Sequence, residues 1–142
     1  MDSTRRYPRV VDESLVGTYP ALAGAGGGYV WDAVLEYRVW CHPLEGSPHV
    51  VEDKDYFRAF STYEDALAFA DRTEGSEEPL ALVLQEEYID EPAPQQYVHV
   101  QKRRTTEWPV DFLNSPRRTS RSIPDFLASN SPNRLDILRG LG

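Results

Sequence analysis

Cys41, His42, His49 and His99 are the side chains of this sequence with the most versatile chemistry, and their spacing limits what they can do. The first three lie close together and could offer metal ligands. Adjacent residues of an extended segment point to opposite faces, however, and the sequence has no second cysteine. Nucleophilic catalysis would need Cys41 or a serine set against one of the histidines, with a carboxylate to orient the base. Cys41 falls on the apolar side of its segment with Tyr37 and Val39, which points to a packed thiol. A lone cysteine also excludes an internal disulfide and fits a reducing compartment.

Four carboxylates, Glu86, Glu87, Asp90 and Glu91, could supply a general acid and base, since 86 and 90 share a face if the segment is one continuous strand. The plainer reading is a solvated cluster at a strand end. Gly24 and Gly26 to Gly28 look at first like a phosphate-cradling loop, but such loops follow a strand and open a helix, whereas this run precedes a strand and reads as a linker. The aromatics of Tyr56-Phe57-Arg58-Ala59-Phe60 have the spacing of a base-stacking strand without its glycine, so packing is the better account. Lys102, Arg103, Arg104, Arg117, Arg118 and Arg121 form the basic cluster, with Trp108 and Phe112 interleaved as in a nucleic-acid or protein contact.

The distribution of charge weighs these readings. The net charge is -8, but residues 32–91 carry sixteen acids against four basic side chains, and residues 102–142 carry eight basic groups against four acids. Arginines beside so acidic a body meet carboxylates before phosphate, so pairing within the chain or with a protein partner is preferred to nucleic-acid binding. No apolar run suits a membrane span or a signal peptide, which leads to the expectation of a cytoplasmic protein.

A scaffold must position these groups. Residues 1–28 are poor in bulky side chains and are expected to form a flexible arm ending in the glycine hinge. Leu35, Tyr37, Val39 and Cys41 alternate with Glu36, Arg38, Trp40 and His42 as in a strand stopped by Pro43, and 55–60 reads as its hairpin partner. Thr62 and Asp65 open a helix over 63–73, closed near Gly75. The apolar run 79–84 is expected to be a central strand continuing through 86–91, and Pro92 and Pro94 lead to a fourth strand at 97–102. Short helices are expected near Pro109, after a cap at Ser122, and from Pro132 to Arg139. The fold class is α+β, a small, mainly antiparallel ββαββ sheet with one packed helix, in a single domain over 29–128 and a tail over 129–142.

The segments 78–92 and 106–110, with Arg118-Thr119 and Ile123-Pro124-Asp125-Phe126-Leu127, together resemble a family of small bacterial proteins that are sometimes labelled GNAT-type acetyltransferases. That resemblance covers roughly residues 35–128. It implies a bacterial or phage origin and, as an alternative activity, a divergent acyltransferase. The superfamily's Gln/Arg-x-x-Gly-x-Gly/Ala pyrophosphate turn has no counterpart, since Gly46 and Gly75 are the only glycines between Gly28 and Gly140.

The sequence therefore predicts a non-catalytic acidic module that binds a protein with a basic surface, as a nucleic-acid mimic or inhibitor would. Contact is assigned to Glu86, Glu87, Asp90, Glu91, Arg103, Arg104, Trp108, Arg117 and Arg118, with no metal and no cofactor. The oligomeric state stays open.

Overall fold

The computed structural model describes residues 7–21, 30–50 and 52–138. The protein is α+β, with a four-stranded antiparallel sheet and a separate two-stranded one. In the larger sheet the strand order is β2 (Tyr56–Phe60), β1 (Ala33–Cys41), β3 (Leu80–Gln85) and β6 (Arg104–Pro109). The hairpin of β4 (Tyr88–Ala93) and β5 (Gln96–Val100) is inserted between β3 and β6. The α-helices of the described residues are α1 (Tyr63–Asp71), α2 (Ser122–Ala128) and α3 (Arg134–Leu138).

Strand β1 is the axis of the larger sheet, because it pairs β2 from Tyr37 to Cys41 on one side and β3 from Ala33 to Arg38 on the other. Its β-branched and aromatic residues favour the extended state. An irregularity between Val34 and Glu36 inserts one extra residue. Val34 and Tyr37 thereby both face the main core, opposite Val83 and Ala81. Helix α1 covers this face with Ala66 and Phe69, and its start is capped by the Thr62 hydroxyl, which accepts from the Asp65 amide at 3.2 Å.

The other face of the sheet departs from simple alternation. Glu36 and Arg38, polar positions of the strand pattern, are both fully buried. Arg38 Nε donates to Glu36 at 2.7 Å, Nη1 to Glu107 at 2.8 Å, and the two Nη atoms also reach the carbonyls of Ala21 and Pro20 at 3.2 and 2.6 Å. Trp40 Nε1 donates to the same Glu107 carboxylate, and the Gly17 amide donates to Glu36.

Residues 7–21 provide those carbonyls and that amide, so this part of the expected loose arm is held by specific contacts. The Val10 amide donates to Ser61 O and the Val11 amide to Val34 O, on the edge of β1 that β2 leaves free. Tyr37 donates its hydroxyl proton to Pro8 O. Val10 and Val16 reach the main core while Gly17, Pro20 and Ala21 lie over Glu36 and Arg38, so the segment straps around the sheet edge. The glycine run and Arg139-Gly140 lie outside the described residues.

Three further expectations are corrected. The run 79–91 is two strands, because the chain turns at Glu86-Glu87 and β4 leaves the sheet. The strand at 97–102 pairs with β4 alone, and β6, within the segment read for its basic residues and Trp108 and not as a strand, completes the ββαββ sheet. Ser122 is the first residue of α2, with its hydroxyl accepting from the Thr119 amide at 2.9 Å. The hairpin and the C-terminal helices enclose a second small core of Val30, Ile89, Ile123 and Phe126.

Breaking a buried ion pair strands a charge, so Arg38→Ala should lower unfolding free energy by about 3–5 kcal/mol. Adding Glu36→Ala should recover part of that loss, and urea unfolding of the single and double variants measures both. Thr106 is fully buried on β6, and among the described residues its Oγ1 has no hydrogen-bond partner. Thr106→Val keeps the shape and removes the stranded hydroxyl, so its thermal midpoint should rise, with a gain of about 1–2 kcal/mol.

Candidate functional site

The two charged regions of the sequence meet at one end of the larger sheet, where β1 begins and β3 stops. Asp32 accepts the Glu86 amide at 2.7 Å and the Arg118 guanidinium at 2.7 Å. Arg118 Nη1 pairs with Glu87, whose other oxygen lies 2.6 Å from His99 Nε2. The partners of Arg118 hold its guanidinium above the ordinary arginine pKa, chiefly through the Asp32 hydrogen bond. Arg103 grips Glu86 through Nε and Nη2 at 2.9 and 3.0 Å, in the bidentate geometry that suits guanidinium to carboxylate.

Other members of the contact set serve the fold or stand apart. Arg104 stacks 3.7 Å over the Tyr88 ring and donates to Gln85 at 2.7 Å, and burial pushes its pKa down. Arg117 lies over Trp31, and Trp108 is a core residue at 5% exposure with Phe112 against its edge. Glu91 accepts the Gln95 amide at 2.8 Å and so supports a tight turn in which Gln95 has φ of 65°. Asp90 is exposed on β4, while Glu86 lies outside any strand, so the two do not form the pair that a continuous strand would have made. The arginines 103 and 118 thus pair inside the chain.

The opposite end of the sheet is acidic, and among the described residues its carboxylates pair with histidines and with no arginine or lysine. There β1 ends, β3 begins and β6 stops, and residues 42–79 bring ten acids against three basic side chains. Glu45, Glu52, Asp53, Asp55, Asp71, Glu74, Glu77 and Glu78 are all exposed. Gly46 and Gly75, with φ of 115° and 76°, adopt the left-handed turns that bring the loop after β1 against the loop after α1.

His42 joins those loops. Its Nδ1 lies 3.0 Å from Asp55 and its Nε2 2.5 Å from Glu77. The ring can donate to both carboxylates only as the imidazolium, and its hydrogen bonds to Glu77 and then to Asp55 raise its pKa.

Between α1, the start of β3 and the end of β6 lies a cleft of about 430 Å³. Glu77, Glu78 and Asp111 line it together with Tyr63, over an apolar floor that includes Leu67, Leu80 and Val110. Burial raises the Tyr63 pKa, and the negative groups around it, Asp111 and Glu78 among them, push it further. Such a site favours a cation with an aliphatic or aromatic-stacking stem. Leu44 and Val50 stand exposed at 79% and 51% in the loop after β1, giving this end apolar contacts beside its carboxylates.

Cys41 is fully buried, its thiol pKa is raised by burial, and its sulfur lies 3.7 Å from Val39 O. His49 pairs with Asp53 at the surface. Among the described residues no cluster of histidine, cysteine and carboxylates could hold a metal ion. Helix α1, the longest described helix, starts beside Glu64 and Asp65, whose charges oppose a cofactor pyrophosphate at that terminus. No described helix is long and apolar enough to cross a membrane. The cleft residues Tyr63, Glu77, Glu78 and Asp111 were absent from the contact set read from sequence. The density of acids in 42–79 was a visible signal, but only the pairing of Leu80 with Pro109 brings Asp111 to Glu77 and Glu78. The chain matches no protein family, no curated protein and no solved structure.

A raised histidine pKa stabilises the folded state fully below the unfolded value of 6.5, and the contribution is lost as pH rises through the folded pKa. The urea midpoint of the protein should therefore fall between those two values. His42→Gln should flatten that part of the profile, and an equal fall in the variant would show that His42 is not its source.

Proposed function

We propose that this protein is a non-catalytic binding module that sets its acidic end against a basic surface of another protein, acting as an inhibitor or regulator in the manner of a nucleic-acid mimic. The observation that carries this reading is the cleft lined by Glu77, Glu78 and Asp111 around Tyr63. A lysine or arginine side chain of a partner fits its chemistry, with the aliphatic stem on Leu67 and Leu80 and the charge among the carboxylates. Exposed Leu44 and Val50 add apolar contact area, which gives affinity beyond the long-range attraction of charge.

The reading moves the interface away from Glu86 and Glu87, whose carboxylates are engaged by Arg103 and Arg118. It keeps the class of partner that the net charge suggests, and the bacterial resemblance directs the search to bacterial or phage proteins. An acidic surface of this kind repels a phosphate backbone, so nucleic acid is not the ligand of this end.

Immobilised protein should retain a basic partner from bacterial lysate at low salt and release it as salt rises. The triple variant Glu77→Gln, Glu78→Gln, Asp111→Asn should weaken that partner's affinity by about tenfold or more, while Arg103→Gln at the far end leaves it unchanged. Equal retention by all three proteins, or retention of nothing, would overturn the proposal.

A further inference from the structure

A second cavity, remote in chemistry from the acidic cleft, lies beside the C-terminal helices. It measures about 310 Å³, at the lower end of the roughly 300–1,000 Å³ range of small-molecule sites. Its walls are mainly apolar, with Val30, Phe126, Ile137 and Leu138 contributing side chains. Ile137 stands 52% exposed at this site although its neighbours Leu135 and Leu138 pack on the second core.

Among the described residues, one cation lines this apolar volume. Arg134, the first residue of α3, lies 4.7 Å over the Phe126 ring and 4.9 Å over the Tyr97 ring. Its Nη1 donates to Ser129 O at 2.9 Å and to Phe126 O at 3.3 Å, which fixes the plane of the guanidinium. Among the described residues Arg134 has no carboxylate partner, and its Nε and Nη2 donate to nothing. Among the described residues the one carboxylate lining the cavity, Asp125, is paired with Arg121 at 2.8 Å. The Ser129 hydroxyl at the rim accepts from the Ser131 amide and retains a proton to donate.

We propose that this cavity binds a small organic anion with an apolar body, a monocarboxylate in the first instance, with its carboxylate on Arg134 and its body against Phe126, Ile137 and Leu138. The arginine is held in place before the ligand arrives, so little side-chain entropy is lost on binding. The ring faces on which it rests add to its retention without neutralising its charge.

The probes are decanoate, decanol and decylamine, titrated into the full-length chain by calorimetry and followed by amide and methyl NMR shifts. Decanoate should bind saturably at one site and shift the resonances of Phe126, Ile137 and Leu138, with decanol and decylamine weaker by about tenfold or more. Arg134→Gln should reduce decanoate affinity to that of decanol, and Arg134→Lys should restore part of it. Ile137→Trp places bulk in the cavity from an exposed position and should block binding while leaving the thermal midpoint unchanged, which separates occupancy from folding. Equal affinity for the three probes, decanoate binding that survives both Arg134→Gln and Ile137→Trp, or no saturable binding would each overturn the proposal. None of these outcomes bears on the acidic cleft, which lies on other elements.

Discussion

The buried guanidinium of Arg38 is the interaction on which the rest of the architecture depends. A charged group with no solvent contact is tolerable only when its donors are satisfied, and here two carboxylates and two backbone carbonyls do so. Those acceptors come from β1 itself, from β6 at the far side of the sheet, and from the N-terminal strap. One side chain therefore ties together the first described segment, the axial strand and the last strand. It also sets the character of the sheet's second face, where Trp40 and Phe57 pack around an ionic centre.

Around that centre the fold separates its charges. At one end the C-terminal arginines have carboxylate partners, and at the other the loops after β1 and α1 keep theirs exposed. The difference arises because Arg118 is drawn back to the start of β1 by its own backbone, whose amide donates to Trp31 O at 2.8 Å. Among the described residues no basic segment returns in the same way to the loop at 42–55. The sheet thus acts as a spacer between a neutralised end and an acidic one, and it is the second that holds an open cleft.

Local patterns were legible where local physics decides. The alternation of β1, the Thr62 cap of α1 and the apolar run of β3 each follow from near neighbours in sequence, and each element forms where the residues place it. Glu36 and Arg38 were legible as the polar face of a strand, but not as buried, because their cover comes from residues seventeen to nineteen positions earlier. Strand β6 was hidden by its composition, since Arg104, Thr105, Thr106 and Glu107 carry no apolar alternation, and its strand state is imposed by pairing along the whole of β3. The cleft was invisible for the same reason, because Asp111 reaches Glu77 and Glu78 only through that pairing.

The Arg38 network also orders events during synthesis. Its strap is made before β1, yet its partner Glu107 lies 69 residues after Arg38 and is made well after both. Until then the growing chain holds Arg38 and Glu36 in water, where neither charge is penalised, and the edge of β1 that receives Val11 can stay unpaired. The ionic centre can close only when β6 has emerged, so the strap is made before the sheet it binds and is among the last parts to be secured.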